Sequence, residues 1–196
     1  MPRLSAIVLA AGEGRRMGMP KALLPLAGVP LVERHVRRLL ELGCDSIDVV
    51  LRPELAAASS VRTAAPGRVF VVAARTATQA ESLAAGLRVL ASRGAGHDDD
   101  AVLVTPVDLV PPALATLVSL VDALAPPALA VTPVHRGRGG HPVVARCHVL
   151  ADPTGLDGVA LPLRARLAAL GPRRVRVPVD DPAVLGDFDV PSDLEH

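Results

Sequence analysis

The sequence predicts an α/β fold built on a doubly wound, mostly parallel sheet, and three observations predict it. Short apolar runs rich in Val, Leu and Ile recur at residues 4–9, 47–51, 69–73 and 101–105. Helical patterns of about ten residues alternate with them, the signature of βαβ units. The first run passes into a glycine-rich turn, at the strand end where such sheets gather ligands.

Each element has its own reason. Residues 4–9 are a continuous apolar run and read as a short buried strand. Gly12, Gly14 and Gly18 open the following loop, where backbone N–H groups approach an anion without a Cβ in the way. Arg15, Arg16 and Lys21 set three cations on or beside it, so strand and turn form a phosphate cradle. A helix is expected from Pro30 to about Leu42, closed by Gly43, with Val32, Val36, Leu39 and Leu40 as its apolar stripe. Its outer side reads as a solvated face with Glu33–Arg37 and Arg37–Glu41 pairs rather than an anion patch.

Residues 47–51 read as the second strand, 53–61 as a short helical segment and 69–73 as the third strand. A helix over 80–90 turns Leu83, Leu87 and Leu90 inward; residues 101–105 are the fourth strand, and Pro112 begins the next helix. Strands at 129–134 and 142–145 flank the loop RGRGGH at 136–141. A helix at 162–170, capped by Gly171, precedes a last long strand at 175–179. In the polar loop 94–100, His97 beside three aspartates reads as a solvated connection, not a metal site. No repeat or linker divides the chain, so 1–196 is expected to be a single domain.

Composition narrows the function. A chain of 196 residues can bury roughly 70% of its unfolded surface. With two Phe and no Trp or Tyr it has almost no platforms for stacking bases, and a net charge of +1 provides no general field for nucleic acid or membrane. Neither partner is expected. Two cysteines suit a reduced, cytoplasmic protein. Arg3 and the apolar run after it mimic a signal peptide, but the run is short and leads straight into the glycine loop. Residues 117–134 come nearest to a membrane span and are broken by Asp122 and a Pro-Pro pair. The closing Leu194-Glu195-His196 resembles the start of an expression tag, and His196 is assigned no role.

Spacing decides which cradle this is. A dinucleotide fingerprint needs glycine where Met17 stands, and a Walker loop needs Gly-Lys-Ser/Thr where Lys21 lies between Pro20 and Ala22. Residues 9–31, LAAGEGRRMGMPKALLPLAGVPL, are instead similar to the signature of the MobA-like nucleotidyltransferases, LAAGxGxRMGxPKxLLPLxGxPL. The match includes Arg16, Gly18, Lys21 and Pro30. The resemblance implies a Rossmann-like, three-layer α/β/α nucleotidyltransferase domain using Mg2+. Leu9, Ala10, Ala11, Gly12, Gly14, Arg15 and Gly18 would then contact the nucleotide, with Arg16 and Lys21 catalytic.

Further motifs extend the likeness. LVTPVDLVP at 103–111 resembles the family's strand-end LGDxP, which implies Asp108 as a metal ligand; Val107 replaces the glycine. DFDVPSDL at 187–194 is similar to DIDTPEDL, which implies Asp189 as the second ligand and Asp187 as its outer or alternate partner. TQAESLAAGL at 78–87 resembles QxxSLxxGL, implying base contacts from Gln79 and Ser82; by itself Ser82 equally suits a helix cap. GGHPVV at 139–144 is similar to GxxGHPV and implies acceptor contacts from Gly140 and His141, although His141 equally suits a loop-filling role. A GDxGAR segment is degenerate around 156–160.

The resemblance implies a cytidylyltransferase that joins CMP from CTP to a phosphate of molybdopterin, with a molybdoenzyme or its chaperone as a protein partner. Ala11 matches the cytidylyl branch, where the guanylyl branch reads Leu-Ala-Gly-Gly. A guanylyl version, or a cytidylyltransferase like that of isoprenoid synthesis, is the next alternative. A non-catalytic nucleotide-binding module is opposed by the joint presence of Lys21, Asp108 and Asp189, and a dehydrogenase by Met17.

Overall fold

The computed structural model describes residues 3–12, 19–58, 61, 64–151 and 162–186. Strand β1 (Leu4–Leu9) leads to a small hairpin of β2 (Pro25–Leu26) and β3 (Val29–Pro30). Then come α1 (Leu31–Glu41), β4 (Ser46–Leu51), α2 (Pro53–Ala58), β5 (Val69–Ala73), α3 (Gln79–Ser92) and β6 (Ala101–Pro106). Helix α4 (Leu114–Asp122), β7 (Ala130–His135), β8 (Arg138–Gly139) and β9 (Val143–Arg146) follow. Helices α5 (Cys147–Ala151) and α6 (Leu163–Ala169) precede β10 (Arg174–Pro178).

The main sheet runs in the order β10–β7–β9–β6–β1–β4–β5, with β8 paired to β7. Strands β6, β1, β4 and β5 are parallel neighbours, and so are β7 and β10. Only β9 and the short β8 run against them. Being reversed, β9 begins at the edge where its parallel neighbours end, with Val143 opposite Val104. That edge collects both the strand-end turns and the segment that enters β9.

Alternation along β1 sends side chains to two faces. Ala6 and Val8 join Val32, Val36 and Leu39 of α1 and Leu117 and Leu120 of α4. Ile7 joins Leu83, Leu87 and Leu90 of α3, with Leu150 of α5 and Leu167 of α6. The result is three layers. Each such leucine contributes about 1.5–3 kcal/mol by leaving water, which fixes the helices on the sheet. At Gly86 a Cβ would stand 2.8 Å from Ile7 Cγ2, so α3 lies close against β1.

The differences from the sequence reading have local causes. Pro30 precedes α1 instead of opening it, because it pairs with Pro25 in the hairpin. Helix α4 starts at Leu114 rather than Pro112, where Asp181 accepts from the Ala113 N–H and the Thr116 hydroxyl at 2.9 and 2.8 Å. That cap comes from far along the chain. Glu33 does pair with Arg37 at 3.4 Å, but Glu41 meets Arg38 at 3.6 Å rather than Arg37. The loop at 136–141 holds β8, since Arg136 and Gly137 both take positive φ and fold a tight hairpin turn. Asp100 accepts from the N–H groups of Arg3 and His97, which shapes its loop from within. Among the described residues no group of three or more His, Cys, Asp or Glu side chains could hold a metal ion. Nor, among them, is any helix long and apolar enough to cross a membrane.

Candidate active site

Parallel pairing continues beyond β1, where the Ala10 N–H donates to the Val50 carbonyl at 2.9 Å. This buries Ala10 and Ala11 at the point where the glycine loop departs. Gly12 is the last described residue of that loop; Gly14, Arg15, Arg16 and Gly18 lie outside the described residues, as do Asp187 and Asp189. The chain is described again from Met19. Lys21 opens a 3-10 turn, Lys21–Leu23, anchored by the buried Ala22 and Leu24.

Across from it, β6 ends at Pro106 and the chain turns. The Val107 N–H donates to the Leu9 carbonyl at 3.1 Å, which ties this turn to the end of β1. Asp108 projects from the turn, and its Oδ2 lies 3.5 Å from Lys21 Nζ. The two side chains are 27% and 18% exposed, open enough to exchange partners with an incoming ligand. His35 of α1 is buried beneath, its Nε2 2.9 Å from the Leu109 carbonyl. Burial holds its pKa down to about 4, against the pull of the Leu109 carbonyl and the Asp108 charge. The ring is therefore neutral at pH 7, and since a carbonyl only accepts, its proton sits on Nε2.

Helix α3 brings its N-terminus to the same place. Thr78 Oγ1 accepts from the Glu81 N–H at 3.1 Å, and Glu81 accepts at 2.8 Å from the N–H of Ala77, the residue before the cap. Thr78, not Ser82, is thus the cap. The Ser82 hydroxyl is buried one turn in, 2.6 Å from Thr76 Oγ1 and 3.2 Å from the Thr78 carbonyl.

Two cavities adjoin here. The smaller, about 150 Å³, is lined by Ala11, Gly12, Lys21, Ser82 and Asp108 among others. The larger, about 370 Å³, is lined by Gly140, His141, Thr132, Arg164 and Arg174 over an apolar floor of Leu83, Val104, Val143 and Leu167. Leu9, Thr78 and Gln79 line both. The structure therefore brings Leu9, Ala11, Gly12, Lys21, Gln79, Ser82 and Asp108 to one edge, with Gly140 and His141 next to them.

Gly140 is held tightly. Its N–H donates to the Pro133 carbonyl at 3.0 Å, and a Cβ there would fall 2.1 Å from the Val184 carbonyl oxygen. The His141 N–H donates to that same carbonyl at 2.9 Å. Its Nδ1 is buried without a hydrogen-bond partner among the described residues, and burial lowers its pKa while the Asp108 charge opposes the shift. Arg174 donates from Nε to Thr132 Oγ1 at 3.3 Å; burial, and then the charge of Arg176, lowers its pKa. Arg164, Arg174, Thr132 and His35 were not found from the sequence. Only the pairing of β10 with β7 and the packing of α6 reveal the first three, since an arginine in a strand or helix carries no local mark of its partner.

The residues fit a divalent cation in their chemistry. Magnesium keeps several waters and needs one or two carboxylates plus phosphate oxygens, and Asp108 offers one partly exposed carboxylate beside the smaller cavity. Lys21 and the α3 N-terminus add positive charge around the same space. The arrangement suits a polyphosphate in the smaller cavity and a second, anionic molecule in the larger.

Comparison with known proteins identifies the family and the fold. The family model described as the MobA-like NTP transferase domain matches residues 6–182. The chain is 31% identical to a molybdenum cofactor guanylyltransferase of Rhodobacter capsulatus over 199 residues, covering 98% of this chain and 93% of that one. It is 40% identical over 114 residues to a 2-C-methyl-D-erythritol 4-phosphate cytidylyltransferase of Rhodococcus jostii, covering 56% of this chain and 46% of the relative. A nucleotidyl transferase from Methanothermobacter thermautotroptrophicus has the same fold, with a TM-score of 0.75 at 27% identity over 97% of this chain and 94% of that one.

Proposed function

The chain belongs to the MobA-like NTP transferase family, and from that premise we propose that it moves CMP from CTP onto a phosphate of a small acceptor, molybdopterin, with release of pyrophosphate. The observation that carries the reading is the Lys21–Asp108 pair, open to the smaller cavity at the carboxyl edge of the sheet. A phosphate oxygen of the acceptor attacks the α-phosphorus in line. The new P–O bond forms as the bond to the β-phosphate oxygen breaks. Lys21 neutralises charge that grows at the α-phosphate, while Arg16 and the amides from Gly12 to Gly18 hold the outgoing phosphates. No nucleophilic side chain is required, because positioning and electrostatic stabilisation carry the rate.

Asp108 would hold Mg2+, with Asp189 and Asp187 as the second carboxylate and its alternate. The bound ion supplies a hard dication that offsets phosphate charge. Base recognition falls to Leu9, Ala10 and Ala11 with Gln79 and Ser82, and the buried methyl of Ala11 narrows the smaller cavity. The larger cavity suits the acceptor: its floor is apolar, fit for a flat ring system, and Arg164 and Arg174 offer charge to a phosphate. Gly140 and His141 line this larger cavity, which Leu9, Thr78 and Gln79 join to the smaller one. We read residues 1–196 as one domain, and place it in the cytoplasm, where buried and unpaired Cys44 and Cys147 stay reduced. A molybdoenzyme or its chaperone would take up the product.

One observation favours a second reading. A relative matched over 93% of its length is a guanylyltransferase, which makes GTP the rival donor. The test is pyrophosphate release from CTP and from GTP, each with molybdopterin or 2-C-methylerythritol 4-phosphate as acceptor. CTP with molybdopterin is expected to react fastest. Faster release from GTP would overturn the donor, and faster reaction of the polyol phosphate would overturn the acceptor.

A further inference from the structure

The turn that presents Asp108 is held from both sides. On one, the Val107 N–H donates to the Leu9 carbonyl at 3.1 Å. On the other, His35 Nε2–H donates to the Leu109 carbonyl at 2.9 Å. Val107, Leu109 and His35 are all buried, and of the turn residues that line the smaller cavity, Pro106, Val107 and Asp108, it is Asp108 that brings a charged group to it. His35 is also out of place by composition. The other buried residues of α1 are Leu31, Val32, Val36 and Leu39. An imidazole among them costs desolvation that another leucine would not, and the bond to Leu109 offsets that cost.

The same helix reaches back toward Lys21. One turn before His35, the Leu31 N–H donates to the Leu24 carbonyl at 2.9 Å, and the Leu24 N–H donates to the Lys21 carbonyl at 3.1 Å. Residues 31 and 35 lie on one face, so α1 joins the lysine turn to the aspartate turn. We propose that His35 is a positioning residue, which through the Leu109 carbonyl sets the Asp108 carboxylate relative to Lys21 and thereby sets the strength of divalent-cation binding. This rests on the reading of Asp108 as a metal ligand.

The test compares His35→Gln with His35→Met in the full chain. The two side chains are close in volume and helix propensity, and only glutamine has an N–H to give the carbonyl. Binding of Mn2+ in the presence of CTP is read from the electron paramagnetic resonance signal of the free ion, alongside Asp108→Asn. Loss of a hydrogen bond that orients a metal-binding carboxylate costs roughly 10- to 100-fold in metal affinity. His35→Met is expected to lose that much with the KM for CTP unchanged at saturating metal, and His35→Gln to recover most of it. His35→Asn, whose amide is too short to reach Leu109, must behave like His35→Met, which keeps the test valid if the methionine variant does not fold. Wild-type Mn2+ affinity in His35→Met, or equal losses in the Met and Gln variants, would overturn the proposal. Unchanged affinity in Asp108→Asn would instead overturn the metal role of Asp108 itself.

Discussion

Two aspartates of this sheet meet a basic side chain, and their surroundings make them different devices. Asp48 lies within β4, fully buried, with Oδ2 2.6 Å from Arg93 Nη2 at the end of α3. Arg93 also lies over the Phe70 ring, 3.9 Å from its centroid. Burial raises the Asp48 pKa, and the bond to Arg93 opposes the rise. Asp48 Oδ1 and Arg93 Nη1 have no hydrogen-bond partner among the described residues. Asp108 lies just past the end of β6, longer in its contact at 3.5 Å and partly open to a cavity. The first pair is locked on its carboxylate side, since Asp48 is fully buried while Arg93 is 23% exposed, and losing Arg93 strands a buried charge. An open pair holds its members loosely in high dielectric and releases them to ligands. Position along the strand thus separates structure from chemistry.

The comparison breaks first at the buried pair. Arg93→Ala is expected to lower unfolding free energy by about 3–5 kcal/mol, the cost of leaving the buried Asp48 carboxylate alone. Urea denaturation measures it, and turnover per folded molecule should not change. A loss below about 1 kcal/mol would show that Asp48 and Arg93 act like a surface pair.

Lys21→Ala tests the open pair, with the opposite outcome. Stability should hold, while the proposed action of the ammonium on charge that grows in the transition state predicts a fall in kcat of roughly 10²–10³, about 2.7–4 kcal/mol. The ratio of kcat loss to KM change decides this. A rise in KM alone would reduce Lys21 to a ground-state contact.

His35 joins the two cases, buried like Asp48 but bonded to the Asp108 turn. Burial holds its folded pKa at about 4, below the 6.5 of an ordinary histidine. The folded state therefore binds this proton less readily than the unfolded state does. Its contribution is complete above pH 6.5 and is lost as the pH falls toward 4. Denaturation of wild type and His35→Gln at pH 7 and pH 4 isolates the term. Parallel pH profiles would show that His35 is not the group.

The smallest effect concerns the base. Ala11→Gly removes one buried methyl, worth ~1–3 kcal/mol of discrimination, or roughly 10- to 200-fold. The variant should admit GTP with little loss of CTP use, as measured by kcat/KM for both. An unchanged ratio would place base selection elsewhere, in Ser82 or the neighbouring backbone.

Much of this was legible in the sequence because it is written in near neighbours. Apolar runs marked β1, β4, β5 and β6, and the period of Leu83, Leu87 and Leu90 marked α3. A long motif placed Lys21, and a carboxylate just past an apolar strand singled out Asp108. What tertiary structure alone decided depends on residues far apart in the chain. The reversal of β9 between β6 and β7 carries Gly140 and His141 to the strand-end edge. The parallel pairing of β10 with β7 brings Arg174 to Thr132. Asp181 caps α4 from 68 residues beyond Ala113, and His35 reaches Leu109 across 74. Local periodicity and turn chemistry act over a few residues and can be read from them. Strand order and distant side-chain bonds follow from burying both faces of one sheet at once, a condition that no single stretch of sequence expresses.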